Sequence, residues 1–150
     1  MSELPAHLSI RNATSQNIDA VIDLLKKAGL PVDDVPEVFG DNYGVAVMND
    51  SIVGAAGIER HGDVGLFRSA VVRGDLRGQR IGEALTLNRI EWARVHGIRS
   101  LYLLTISAHD YFPRFGFEVI ERNEVPAGIQ KSWEFSTHCP ASATVMRLTL

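Results

Sequence analysis

This chain has almost no cysteine, no long apolar run and no excess of positive charge. Its single cysteine, Cys139, excludes an internal disulfide, so a reducing, cytoplasmic compartment is the natural expectation. No apolar stretch approaches the roughly 18 residues that a membrane helix needs, and the first residues show no charged-then-apolar leader pattern. The formal net charge of -3 argues against broad nucleic-acid binding, which favours a basic face. We therefore expect neither a membrane nor a nucleic acid as a partner.

Familiar cofactor and metal motifs are also missing. The sequence has neither the G-x-G-x-x-G dinucleotide fingerprint nor the G-K-[ST] phosphate loop. His109, His138 and Cys139 lack the spacing of metal ligands, so no metal is expected. The composition is otherwise that of a globular protein, with 150 residues of which 45% are hydrophobic. This predicts a single domain over residues 1–150.

The most informative stretch, from Asp63 to His96, predicts a strand, a glycine-bearing turn and a helix. Strand-forming residues cover Val64 to Val72, and Gly74 to Leu76 break the strand. Apolar residues recur at helical spacing from Ile81 onward. Backbone amides at a helix start lack partners inside the helix, and the helix dipole adds partial positive charge, so a phosphate fits there. From these residues alone, an ordinary helix start with two surface arginines remains the alternative.

The remaining segments predict an α+β domain. Tyr43 to Met48 and Ser51 to Arg60 are expected to form a hairpin around Asn49-Asp50. The apolar run from Ser100 to Ile106 suits a strand buried on both faces, and Thr144 to Leu150 alternates as a final strand. The predicted order is an antiparallel meander, a helical crossover, one strand parallel to the fourth, and a closing hairpin.

Two segments carry a family resemblance. A-V-V-R-G-D-L-R-G-Q-R-I-G-E-A-L, from Ala70 to Leu85, resembles the acetyl-CoA-binding segment of the GNAT superfamily of N-acetyltransferases. A-H-D-Y-F-P-R-F-G-F, from Ala108 to Phe117, is similar to the A-x-x-F-Y-x-x-x-G-F stretch of that family. Arg80 stands where the first glycine of the R-x-x-G-x-G turn is expected. The resemblance implies the GNAT acyl-CoA N-acyltransferase fold, a mixed, mostly antiparallel sheet flanked by helices. The fourth and fifth strands of that fold splay apart around the pantetheine arm.

The resemblance also implies that main-chain groups hold the coenzyme. The thioester-facing amide falls on Ala70 and the pantetheine contact on Val72, with Val71 between them. Thr105 stands where the family often has an asparagine that contacts CoA. The residues expected around the diphosphate are Arg77, Gly78, Gln79, Arg80, Ile81, Gly82 and Glu83. Acetyl-CoA is thus the expected co-substrate, and a small-molecule amine is the expected acceptor.

The position of the general acid is less well defined. The tyrosine of the family motif corresponds to Phe112, and its neighbour Tyr111 is the candidate acid. On a helix the two side chains point about 100° apart. The alternative is that Tyr111 packs and exposes its hydroxyl.

The general base is equally open, because the glutamate position of the family corresponds to Leu66. Glu59 is the candidate in its place. If His61-Gly62 is a two-residue loop, Glu59 lies opposite Val64 and on the same sheet face as Ala70. The distance along the strand is then roughly 20 Å, so Glu59 would act through water or contact the substrate. The alternative is a solvated turn residue.

Two residues are candidates for binding the acceptor. Arg68 is expected to share the face of Ala70, roughly 7 Å away, where it would pair with an anionic group of the acceptor. Because an unpaired buried arginine is costly, a structural pair with an acidic side chain is the alternative. His138 lies in the loop before the last strand, a region that shapes the acceptor pocket in the family. Cys139 beside it is either a nucleophile or an inert buried thiol.

The nearest resemblance within the family is to small N-acetyltransferases associated with arsenic resistance. It is carried by Leu66 to Val71, Leu101 to Thr105, Tyr111-Phe112, and Trp133 to Ala143. It implies that the acceptor is the amine of a small amino-acid-like compound, and an arsenic-bearing compound is one such candidate. The alternative from another class is a non-catalytic acyl-CoA-binding sensor or regulator. A homodimer is left open.

Overall fold

The computed structural model describes residues 4–132, 135–136 and 142–150. In these ranges the chain forms a seven-stranded sheet with helices on both faces, which confirms the predicted α+β class. None of the helices described there is both long and apolar enough to traverse a bilayer. The elements are β1 (Leu8–Asn12), α1 (Ile18–Lys27), α2 (Val35–Val38), β2 (Tyr43–Met48), β3 (Ser51–His61), β4 (Val64–Val72), α3 (Ile81–Val95), β5 (Ser100–Thr105), β6 (Glu118–Ile120), α4 (Ala127–Gln130) and β7 (Thr144–Thr149).

The sheet has the strand order β1-β2-β3-β4-β5-β7-β6, and its neighbours are antiparallel except for β4 and β5. The parallel pairing of β4 with β5 covers three residue pairs, from Val64 with Ser100 to Leu66 with Tyr102. β4 then continues to Val72 and β5 to Thr105 outside that pairing. The predicted splay of the fourth and fifth strands is therefore confirmed.

The core lies on both faces of the sheet because side chains alternate along the central strands. On β2, Ala46 packs on the side of α3, while Val45 and Val47 pack on the side of α1 and α2. Residues on the α3 side include Phe67, Leu85, Ile90 and Met146. Residues on the α1 side include Val21, Leu25, Tyr43 and Val71.

A bulge interrupts β4 where it borders the gap. Arg68 pairs with Gly57 and Val71 pairs with Ala55, so Ser69 and Ala70 both oppose Ala56. Ser69 has φ +58°, a left-handed conformation that is unusual for serine. The bulge ends the regular alternation, so that Arg68 is buried while Ala70 is exposed. The predicted regular spacing from Arg68 to Ala70 on one face is thus wrong, because the extra residue re-aims the strand.

The turn between β3 and β4 also differs from expectation. His61 is the last residue of β3 and pairs with Val64, so the turn consists of Gly62 and Asp63. Gly62 supplies the left-handed φ of +68° that this tight turn requires. Glu59 therefore faces Leu66 and not Val64, two residues nearer to Ala70 than predicted.

Candidate functional site

The N-terminus of α3 forms one end of a long groove. The amides of Ile81, Gly82 and Glu83 precede the first helical hydrogen bond, from Ala84 N to Arg80 O at 3.1 Å. They are therefore free of partners in the helix ladder. A cavity of about 360 Å³ lies over them, and its walls include Arg77, Gly78, Arg80, Gly82, Glu83 and Arg114. Amides, a helix dipole and arginines converge here, as a phosphate group requires.

Arg80 adopts the backbone conformation that a glycine would take. It is the residue immediately before α3 and has φ +66°, in the left-handed region. Its guanidinium donates to Glu83, with Nε 3.0 Å from Oε2 and Nη2 3.2 Å from Oε1. These hydrogen bonds lower the pKa of Glu83 and raise that of Arg80. Arg80 therefore occupies the glycine position of the turn in the left-handed conformation that glycine favours.

The groove continues along β4 as a second cavity of about 510 Å³. Ala70, Val71 and Val72 form one wall, with Gly82, Leu85 and Thr86 beside them. The lining also includes Leu30, Ala108 and Phe112. This largely apolar channel begins at Arg77, which also lines the first cavity. All the predicted coenzyme residues from Ala70 to Glu83 border the two cavities except Gln79, which lies outside both linings.

The gap between the diverging strands holds a third cavity of about 260 Å³. β4 contributes Phe67, Arg68, Ser69 and Ala70, and β5 contributes Leu103, Leu104 and Thr105. The Thr105 hydroxyl accepts a hydrogen bond of 2.8 Å from the Ala108 amide, which fixes its position in the wall. Ala70 lines both this cavity and the channel, so it stands at the junction between them.

Tyr111 lies on the α3 side of that junction. It lines the first and second cavities but not the cavity in the gap. Its hydroxyl is 3.7 Å from where a Cβ on Gly82 would stand. The Arg114 guanidinium covers the ring at 4.3 Å. Burial raises the pKa of the phenol. The neighbouring Phe112 lines both the second cavity and the gap, and it packs edge-on against Phe67 at 5.9 Å.

A buried ion network lies beneath the gap. The Arg68 side chain is fully buried, and its guanidinium donates to both carboxylate oxygens of Asp34, with Nη1 to Oδ2 at 2.7 Å and Nη2 to Oδ1 at 2.6 Å. Nη1 also donates to Glu59 Oε1 at 2.8 Å, and Nε donates to Ser69 Oγ at 3.2 Å. Of the two alternatives for Arg68, the structure shows the pairing with acidic side chains.

Glu59 belongs to this network and is not a solvated turn residue. Its Oε2 lies 2.6 Å from His61 Nε2, and its side chain is 11% exposed. Both carboxylate oxygens are thus engaged, one by Arg68 and the other by the imidazole. Glu59 does not line the cavity in the gap, and the structure does not bring it together with Tyr111.

Several residues of the site escaped the sequence analysis. Asp34, directly before α2, pairs with Arg68 across 34 positions, a separation that no local pattern reveals. Tyr43 and Ser69 share a hydrogen bond of 2.9 Å between their hydroxyls. Tyr43 has room because Gly57 lacks a side chain: a Cβ there would lie 2.5 Å from the ring. His138 and Cys139 lie outside the described residues.

The network predicts a stability effect. Arg68→Met should lower the free energy of unfolding by about 3–5 kcal/mol, because it leaves two buried carboxylates without their guanidinium. Chemical denaturation measures this change. Adding Asp34→Asn and Glu59→Gln to Arg68→Met should recover a large part of the loss. A single variant as stable as the wild-type chain would contradict the pairing described above.

The turn before α3 predicts a second effect. Arg80→Gly and Arg80→Ala both remove the guanidinium, but only alanine keeps a Cβ in the left-handed region. The glycine variant should therefore unfold at a temperature higher by roughly 2–4 °C than the alanine variant. Thermal unfolding followed by circular dichroism compares them. Equal melting temperatures would show that the residue is not left-handed in solution.

Comparisons with known proteins identify the family. The pattern of the "Acetyltransferase (GNAT) domain" matches residues 40–119, just over half of the 150 residues. A search of the curated proteins found no match. N-acetylglutamate synthase from Neisseria gonorrhoeae, solved with coenzyme A and L-arginine, has a TM-score of 0.80 at 20% identity over 97% of this chain. The chain spans 34% of that synthase.

Two further solved structures are similar over most of their own length. Rv2747 from Mycobacterium tuberculosis, solved with CoA and a second ligand, has a TM-score of 0.80 at 21% identity, covering 95% of this chain and 99% of its own. The ribosomal-protein-S18-alanine N-acetyltransferase from Escherichia coli has a TM-score of 0.74 at 18% identity, covering 95% and 93%. At these identities the likeness shows the shared fold alone. With the family pattern matched over residues 40–119, this chain belongs to the GNAT acetyltransferase family.

Proposed function

We propose that this protein is an N-acetyltransferase that moves an acetyl group from acetyl-CoA to the amine of a small molecule. The observation that carries the proposal is the continuous groove from the α3 N-terminus to the gap between β4 and β5. The groove has three parts: the end at the α3 N-terminus, the apolar channel along β4, and the cavity in the gap between β4 and β5, which we call the inner cavity. They follow one another in the order of the diphosphate, pantetheine arm and thioester of acetyl-CoA. In the family, this is how acetyl-CoA is held.

The diphosphate is bound mainly by the backbone in this proposal. Amides at Ile81, Gly82 and Glu83 donate to its oxygens, and Arg77 adds charge from the preceding loop. Arg114, held against the Tyr111 ring, adds a second guanidinium at the same end. Gly78 has φ +82° and lets the chain approach the ligand closely.

The thioester lies at Ala70 in this proposal. A bulge leaves its extra residue outside the strand ladder, so a main-chain amide near Ala70 is available to the thioester oxygen. The amine nitrogen attacks the carbonyl carbon, the oxygen becomes an oxyanion that this amide stabilises, and the C–S bond then breaks to release the CoA thiolate. The amine gives up one proton during this sequence, and the thiolate takes one up.

The proton route does not need Glu59 to contact the amine. Because Arg68 and His61 occupy both of its oxygens, we assign Glu59 to holding Arg68 and the β4 bulge in place. The inner cavity shares Leu104 and Thr105 with a further cavity that is also lined by Pro31 and Ile106. Water in these two cavities is therefore the proton acceptor we favour.

The sensor alternative has one observation in its favour. Within the described part of the chain, the lining of the inner cavity includes no carboxylate, imidazole or phenol. Such a cavity would suit a protein that binds acyl-CoA without turning it over. The arsenic-bearing acceptor, the homodimer and the cytoplasmic location stay predictions, and the comparisons add no support for an arsenic-resistance subgroup.

Release of free CoA tests the function. We expect protein, acetyl-CoA and a panel of primary amines to liberate CoA thiol in an amine-dependent manner, monitored with a thiol reagent. Reactions without amine correct for the protein's own Cys139. Calorimetry with acetyl-CoA is the companion measurement. Binding without release for any amine would favour the sensor, and absence of binding would overturn both readings.

The substitution Tyr111→Phe distinguishes two roles of Tyr111, as general acid and as a residue that contacts the coenzyme. Because Tyr111 lines the coenzyme cavities, we expect kcat to change by less than about threefold while the KM for acetyl-CoA rises. An acid would instead cost about 100-fold in kcat. Since burial raises the pKa of Tyr111 above its ordinary 10.0, an acid would also make wild-type kcat fall only above pH 10. The phenylalanine variant would lack that alkaline fall, and such a result would restore the acid role.

A further inference from the structure

Beyond the gap, the groove opens into an outer cavity beside the connection between α1 and α2. This cavity of about 380 Å³ shares Leu30, Leu104, Thr105 and Ser107 with the inner cavity. The two therefore form one space, which we call the acceptor cleft, reaching from the protein surface to Ala70 at the thioester position. The coenzyme channel enters the junction from the other side, along β4.

The outer cavity presents apolar groups and hydroxyls to its contents. Leu30, Pro31, Leu104, Thr105, Ile106 and Ser107 form most of its wall. No charged side chain lines it among the residues that the structure describes. The Thr105 hydroxyl already accepts a hydrogen bond from the backbone. Such a wall accommodates apolar and neutral polar groups, but it offers no counter-charge to a carboxylate that loses its water.

The inner cavity offers no better partner for an anion. Arg68 is the charged side chain in its described lining, and its guanidinium is already bound by Asp34 and Glu59. One guanidinium with two carboxylates carries a formal charge of -1 when His61, which contacts Glu59, is neutral. An acceptor carboxylate would have to approach that negative charge or displace a buried carboxylate from its partner, and both are unfavourable.

We propose that the acceptor is a primary amine whose remaining part is uncharged and mainly apolar, such as an alkylamine, an arylalkylamine or an amino-acid amide. A free amino acid fits the cleft less well, and an acidic one least. This inference rests on the proposed function and specifies its substrate class.

Matched pairs of amines test the inference. Tyramine is compared with tyrosine, and leucinamide with leucine, at equal concentrations of unprotonated amine. We expect kcat/KM to be about tenfold or more higher for the uncharged member of each pair. An equal or higher value for tyrosine, leucine or glutamate would overturn the inference while leaving the acetyltransferase function in place.

Binding of the same pairs separates the two proposals. With the protein saturated in CoA, calorimetric titration should give tighter binding for tyramine than for tyrosine, whether or not turnover occurs. Tighter tyramine binding without CoA release would remove the proposed function and keep the cleft's preference. Tighter or equal binding of tyrosine would remove the preference.

A positive charge placed in the wall of the outer cavity tests whether the preference for uncharged acceptors arises there. Ile106 is 69% exposed and lines the outer cavity, so Ile106→Arg adds a guanidinium there without disturbing the core. It should lower the preference for tyramine over tyrosine by about tenfold. Leu87→Arg is the matched control, because Leu87 is 52% exposed on α3 and lies outside the cleft. Equal effects of both substitutions would show that the acceptor does not use this cleft.

Discussion

The parallel pairing of β4 with β5 ends after three residue pairs, and the site depends on that short contact. Where the ladder stops, the strands no longer share backbone hydrogen bonds and a cavity opens between them. The bulge at Ser69 and Ala70 lies at the same level and turns main-chain groups of β4 out of the β3 ladder. The sheet therefore supplies both the opening and the polar backbone that an acyl group needs.

A buried charge network supports this opening. Arg68 connects Asp34 at the start of α2 with Glu59 on β3, and it also donates to Ser69 within the bulge. Charges in a protein interior are tolerated only when paired and hydrogen-bonded, so the network specifies one arrangement of three separate segments. The Tyr43 hydroxyl forms a further hydrogen bond with Ser69. The Tyr43 ring fits in this position because Gly57, which it contacts, has no side chain.

Backbone recognition at the other end of the groove explains a tolerance in the sequence. The groups that we propose bind the diphosphate are amides in the first turn of α3, and their direction depends on the conformation of the chain, not on the identity of the side chains. Arg80 takes the left-handed conformation at a glycine position, and its side chain is hydrogen-bonded to Glu83.

The sequence alone was sufficient for features that depend on neighbours in the chain. The strand, turn and helix from Val64 to Val95, and the exposed amides at Ile81, follow from local spacing. The divergence of the fourth and fifth strands was predicted from the resemblance to the family, not from local spacing. Three features escaped prediction: the bulge at Ser69, the pairing of Arg68 with Asp34, and the orientation of Tyr111 toward Gly82. Each depends on contacts between residues far apart in sequence, where packing and the need to neutralise buried charge override local pattern. Only the tertiary structure decides such contacts, because no short-range regularity encodes which distant partner will be met.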